Sequence, residues 1–246
     1  MTGATPTAQL LRELEQLGPF FALETVDAAA AAADQRAWQP LSEMVAAPAL
    51  LEARVREGRT VVAGLAGVPE HDVERRVVVS VVVQGLVGRL VSPALAALVL
   101  HEALPDPSLW QWRPTGTGPL PLRLVLLADR APFEPVAPPE AADAFAALVL
   151  ERWVEPLLSQ AGEAARLAPS LLRGNAASAV AGAGSVLARA RPEHADGVRR
   201  LLSALLAVPA LAGTGRLEHG AFRRRTCCLY YRVPGGGTCG DCPLSR

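Results

Sequence analysis

The chain has 246 residues, a formal net charge of zero, a 50% hydrophobic share and a mean hydropathy of +0.24. That length and composition exclude intrinsic disorder and suit one large domain with or without a small appendage; the neutral balance gives no global pull toward nucleic acid or a membrane surface. All 24 basic residues are arginine, which excludes Schiff-base chemistry, a P-loop lysine and a kinase lysine.

Taken in chain order, the elements are mostly helical. Thr5 and Pro6 read as a cap and first helical residue, followed by an apolar stripe at Leu10, Leu11, Leu14 and Leu17 that Gly18 and Pro19 stop. Ala28 to Ala33 is a run of strong helix formers. A helix is expected from Pro48 to Glu57 with Gly58 as its C-cap, then a short extended piece over Thr60 to Ala63. Pro69 opens a longer segment whose acids, Glu70, Asp72 and Glu74, suit a helix N-terminus; its middle, Val77 to Val83, is read as buried helix. Ser92 and Pro93 are expected to restart a helix that runs to about Glu102.

The uncharged stretches here are short: 12 residues between Arg76 and Arg89, and 11 from Leu90 to Leu100. A spanning helix needs roughly 20 apolar residues, so no transmembrane segment is expected, and the N-terminus carries no signal-peptide pattern. Leu109 to Trp112 and Leu120 to Ala128, joined by a turn at Pro114 to Pro119, read as a β-hairpin. Pro132 to Pro139 reads as a linker, and helices are expected over Glu140 to Ser159, Ser170 to Ala190 and Pro192 to Val208. The fold class is therefore α+β: a mainly helical body, a small antiparallel hairpin or sheet, and a C-terminal cysteine-rich tail.

The tail divides the charge. Residues 1–215 carry 18 arginines against 22 acids, and residues 216–246 carry 6 against 2. The expected organisation is a body over 1–215 and a metal-binding segment over 216–246. All four cysteines, Cys227, Cys228, Cys239 and Cys242, fall in the tail with the spacing C-C-x10-C-x2-C. A disulfide framework would staple the whole chain, so clustered thiols point to a metal. Structural zinc suits four thiolates, but directly adjacent cysteines point apart in an extended chain and reach a single ion only with strain. A [2Fe–2S] cluster offers two irons, so that divergence becomes usable. A vicinal or C-x-x-C disulfide, or idle thiols, is the third alternative.

The neighbours fit redox use. Arg223, Arg224, Arg225 and Arg232 bracket the ligands and would favour the more negative reduced cluster, as cluster-tuning charges. Gly235, Gly236, Gly237 and Gly240 would let backbone N–H groups approach sulfur. Tyr230 and Tyr231, the only tyrosines, would cover the cluster or anchor the tail. The four histidines, at 71, 101, 194 and 219, are scattered; only His219 is close in sequence to a cysteine. Gly182 to Gly184 lies in an Ala-rich helix and follows no strand, so it is not a dinucleotide fingerprint.

The C-C-x10-C-x2-C tail, with basic residues before it and Pro243 after it, resembles the FhuF-like ferric siderophore reductases. Three more stretches are similar: Ser80 to Pro93 with Gln84, Gly85 and Arg89; the Trp112-Arg113-Pro114 turn; and Gly174-Asn175-Ala176-Ala177-Ser178. Arg173 stands where that family often has an aromatic residue. The resemblance implies a [2Fe–2S] protein, with Cys227, Cys228, Cys239 and Cys242 as ligands and no catalytic residue beyond the cluster. It implies one-electron reduction of Fe(III) in an imported siderophore, typically of hydroxamate type, and release of Fe(II). The implied partners are the ferric siderophore and an external electron donor of the ferredoxin or flavin reductase type, with no nucleic acid. The implied place is the cytoplasm, free or peripheral at the inner face of the membrane. Trp110, Trp112 and Asn175 are the candidate substrate-binding residues. The alternatives are a zinc-stabilised binding protein, or an electron carrier or iron sensor with no siderophore site.

Overall fold

The computed structural model describes residues 6–34, 38–44, 48–114 and 118–245. The expected cap at Thr5 lies outside them. The first helix, α1, spans Pro6–Gln16 and buries Leu10 and Leu14. Strand β1 (Glu24–Asp27) leads into α2 (Ala28–Ala33), which Asp27 caps by accepting from the Ala30 N–H at 2.8 Å. Next come β2 (Gln39–Pro40), α3 (Leu41–Met44) and α4 (Pro48–Ala66).

Helix α4 runs straight through Gly58 and through the residues expected to be extended. Gly58 has a different task from capping: a Cβ there would stand 2.5 Å from Val82 Cγ2, so the glycine sets how closely α4 and the next helix approach. Termination falls to Gly67, whose φ of +66° any other residue would find strained.

Helix α5, Arg75–His101, is the centre of the molecule. It is buried nearly all round, at Val77, Val78, Val79, Val83, Leu86, Val87, Leu90, Val91, Leu95 and beyond. Valine is a mediocre helix former, so packing rather than propensity holds this helix. It does not restart at Ser92; Pro93 sits inside it, and the Ser92 hydroxyl donates to the Gly88 carbonyl at 2.6 Å. By length and hydropathy α5 could cross a membrane, but 78% of its most apolar window is buried within the protein. Glu13 Oε2 of α1 accepts from His101 Nε2 at 2.7 Å, tying α1 to the end of α5.

The two strands of the expected hairpin pair, and part of the turn between them lies outside the described residues. Strand β4 (Trp110–Trp112) pairs antiparallel with β5 (Leu122–Leu126), Trp110 opposite Leu124. Two strands unseen in the sequence complete the sheet in the order β1-β5-β4-β2, with β1 parallel to β5. Strand β3 (Ala103–Pro105) pairs with β6 (Phe133–Pro135), so the expected linker is partly strand.

The next helix is one rod in three parts: α6 (Ala141–Phe145), a π-helical stretch over Ala146–Val154, and α7 (Glu155–Ala165). Pro156 offers no N–H to a carbonyl one turn back, and the widened turn lies directly ahead of it. Helix α8, Pro169–Ala190, presents small residues to α5, and Gly184 lets Leu202 of α9 (Ala195–Leu205) come within 2.8 Å of where a Cβ would stand. The chain ends in a hairpin, β7 (Gly215–Glu218) with β8 (Ala221–Arg224), turned at His219 and Gly220 in left-handed conformation, followed by the cysteine loop.

Candidate metal centre

Strand β8 and the cysteine loop lie against α8. The contact is permitted by Gly174, since a Cβ there would collide with Thr226 Oγ1. Cys227 and Cys228 follow β8 after Arg225 and Thr226, and Leu229 then takes a left-handed turn at φ +68°. That turn brings the Leu229 N–H back to Cys227 Sγ at 3.3 Å. The loop returns through Gly235 and Gly237, both left-handed. A tight turn follows, in which the Cys242 N–H reaches the Cys239 carbonyl at 3.1 Å. The Leu244 N–H lies 3.4 Å from Cys242 Sγ. The N–H donors to sulfur are thus leucines, while the positive φ of Gly235 and Gly237 is what the return of the chain requires.

Two of the four sulfurs meet. Cys228 Sγ and Cys239 Sγ are 3.5 Å apart. Two thiolates on one tetrahedral metal, with bonds of about 2.3 Å, stand about 3.8 Å apart. Cys228 and Cys242 are buried, at 2% and 1% exposure; Cys227 and Cys239 are partly open. Among the described residues no three metal-ligating side chains gather tightly around a single point. Burial pushes the Cys227 thiol above its ordinary pKa, against the pull of the Leu229 N–H and the Arg224 charge. Cys239 is pushed up as well, by burial first and then by Asp241 and Cys228. Metal binding here therefore displaces protons.

Of the four arginines, one is inside. Arg224 is 2% exposed and donates through Nη2 to Asn175 Oδ1; its Nε and Nη1 are buried with no partner. Arg223 donates to the Ser245 carbonyl, Arg232 pairs with Glu74 at 2.8 Å, and Arg225 is exposed. His219 is exposed at the hairpin tip.

This donor set suits an anionic iron–sulfur group: four thiols, two backbone N–H groups directed at sulfur, and a guanidinium with idle donors. Residues 224–244 match the FhuF 2Fe-2S C-terminal domain. The tail is accordingly a [2Fe–2S] domain of the FhuF type, and the protein is an iron–sulfur protein. No curated protein matches the chain. The family match begins at Arg224 itself, so the buried arginine and all four cysteines lie in the FhuF-type domain.

The structure does not bring the expected substrate residues to a ligand surface. Trp110 is 1% exposed and stacks tilted on Trp153 with ring centroids 5.0 Å apart. Trp112 is 3% exposed and donates through Nε1 to the Pro40 carbonyl. Both are core residues of the sheet. Asn175 is wholly buried, with its amide donating to Ser80 O and Oγ, each at 2.9 Å. It sits beside the cysteine loop, but as an internal strut.

What does open beside the sulfurs is a groove of about 510 Å³. Cys228, Cys239 and Tyr230 form one end, the faces of α5 and α8 its floor, and Phe20 and Phe21 its far wall. No charged side chain lines it; Gln84 and Ser178, bonded to each other at 3.0 Å, are its main polar side chains. Arg89, one turn further along α5, fixes the far wall by donating to the carbonyls of Phe20, Ala22 and Leu120 at 2.6–2.8 Å. Burial lowers its pKa to about 10, so it stays charged at neutral pH. The Gly18-Pro19-Phe20-Phe21 run was readable in sequence only as a helix stop; its part in the groove depends on contacts with α5 nearly 70 residues away.

Proposed function

We propose that this protein is a ferric siderophore reductase of the cytoplasm, passing one electron from an external donor to Fe(III) held by an imported siderophore and so releasing Fe(II). The observation that carries the reading is the groove: a ligand-sized cavity, lined by no acidic or basic side chain, whose end wall is two of the four cysteines. A bound [2Fe–2S] cluster supplies one-electron chemistry, and Fe(III) held by hard oxygen donors needs one electron to be loosened. Cys227, Cys228, Cys239 and Cys242 would hold the cluster.

The groove's own residues bind and orient. Its apolar walls replace water around the chelate, and the Gln84–Ser178 pair supplies hydrogen-bonding contacts. No cationic side chain lines the groove and a cluster at its end would be anionic, which suits a ferric complex neutral overall, as Fe(III) with three hydroxamates is. A trianionic complex would lose its hydration without a counter-charge there. The test is re-oxidation of the chemically reduced protein, with Fe(II) trapped by a chelator. Neutral ferric trihydroxamates should re-oxidise it with one Fe(II) per electron, and at least tenfold faster than a ferric tris-catecholate of similar size. Equal rates, or rates no greater than those of a ferredoxin without such a groove, would leave an electron carrier instead.

A further inference from the structure

We propose that Arg224 is the built-in counter-charge of the cluster site, and that Asn175, oriented by Ser80, is the residue that positions it. The proposal rests on the four cysteines holding a [2Fe–2S] cluster. It separates Arg224 from the other arginines of the tail and gives the helical body a defined part in setting the reduction potential.

Arg224 is among the most completely buried large side chains of the protein. Among the described residues it takes part in no ion pair. A buried guanidinium that uses only Nη2 and leaves Nε and Nη1 idle is costly unless an anion completes it. Its backbone N–H reaches the Asp241 carbonyl at 3.2 Å, inside the Cys239–Cys242 turn, and Cys227 follows three residues later. Arg224 therefore bridges both cysteine pairs. An oxidised [2Fe–2S] cluster with four thiolates carries a net charge of −2, which becomes −3 on reduction; that is the anion its idle donors lack.

The hydrogen bonds around Asn175 run in one sense only. Its Nδ2 donates to Ser80 O and Oγ, so its Oδ1 must face Arg224 Nη2. The Ser80 hydroxyl, having accepted from Asn175, donates to the Cys228 carbonyl at 2.7 Å. Ser80 on α5 and Asn175 on α8 thus hold the guanidinium with one end of the chain and the backbone of a ligand cysteine with the other. This accounts for a wholly buried serine and asparagine in two core helices, where each is unfavourable unless fully bonded.

The experiment is a potentiometric titration of the full-length, cluster-loaded protein, read by visible absorption, with iron counted in every variant. Arg224→Gln should lower the reduction equilibrium constant at least tenfold, or 59 mV for one electron. Arg225→Gln, one residue on but exposed, should change it less than threefold, and Arg224→Lys should stay within threefold of wild type. Asn175→Ser should lower the constant in the wild-type background and have no further effect when Arg224 is already Gln, because it acts through that residue. A purely structural role for Asn175 would give additive shifts. An Arg224→Gln protein that holds two irons with an unchanged potential overturns the proposal. Should the Gln variant fail to hold iron, the Lys variant decides: two irons retained supports the counter-charge, and loss in both overturns it in favour of a shape requirement. If the wild-type protein carries one zinc and no visible absorption, the cluster reading itself falls, and that result is read before any variant.

Discussion

Cys228 and Cys239 lie at the groove and Cys242 is sealed from solvent, yet all four thiols should be needed alike. A serine at any one of Cys227, Cys228, Cys239 or Cys242 should abolish the visible absorption of the purified protein, or reduce it several-fold. The far-UV circular dichroism should stay unchanged, since α1 and α3 to α9 build one apolar core that contains none of the four cysteines. Global unfolding of the serine variants would make the metal a structural staple and remove the main support for redox use. At this scale the sequence was most informative where chemistry is carried by residue type: four thiols in one tail can be read without coordinates. It was least informative for burial. Arg223, Arg224 and Arg225 look equivalent in a row, but alternation along β8 puts Arg224 inward. Asn175 next to Gly174 read as a ligand contact, when its bonds all go to Ser80 and Arg224.

The packing of elements explains both where Asn175 lies and why residue 174 is a glycine. Helices α5 and α8 form the central contact of the protein, and β8 with the cysteine loop lies on α8 at Gly174. Gly174→Ala should therefore push Thr226 and the loop off the helix and weaken cluster retention, while helix content stays at the wild-type level. Adding Thr226→Ser should leave the defect, because the colliding oxygen remains; adding Thr226→Ala should recover much of the iron content. Arg89 is the matching strut on the other side of the groove. Arg89→Met leaves three carbonyls unpartnered and should cost about 3 kcal/mol or more of stability, read from chemical denaturation of the cluster-free protein.

Element types were legible where one signal dominated, as in the poly-alanine α2, the tryptophan hairpin and the long buried α5. The errors came where a residue that commonly ends helices had a tertiary reason to sit inside one. Gly58 is there for Val82, and Pro93 is carried by a helix packed on all sides. The two-residue β2 and the parallel pairing of β1 with β5 are long-range facts without a local signature.

The whole molecule places a ligand-sized space against the cluster site, and two helix glycines keep side chains out of it. Gly85 on α5 and Gly182 on α8 both line the groove. Neither has a positive φ, and a Cβ on either would touch nothing within 4 Å, so no backbone or packing demand explains them. In a helix interior each costs about 1 kcal/mol relative to alanine. Gly182→Ala should therefore stabilise the protein by roughly 0.5–1 kcal/mol. Gly182→Leu should project a side chain into the cavity and raise the KM for a ferric trihydroxamate about tenfold or more. The reduction potential should stay at the wild-type value, because the residue touches neither a cysteine nor the Arg224–Asn175–Ser80 chain. The three measurements separate the roles. Raised KM with unchanged potential places the substrate in the groove. Unchanged KM with the leucine variant folded and loaded would mean that the chelate is reduced elsewhere, through the partly open Cys227 side of the site. The exposed tail arginine Arg225 would then be the first place to look for its contacts.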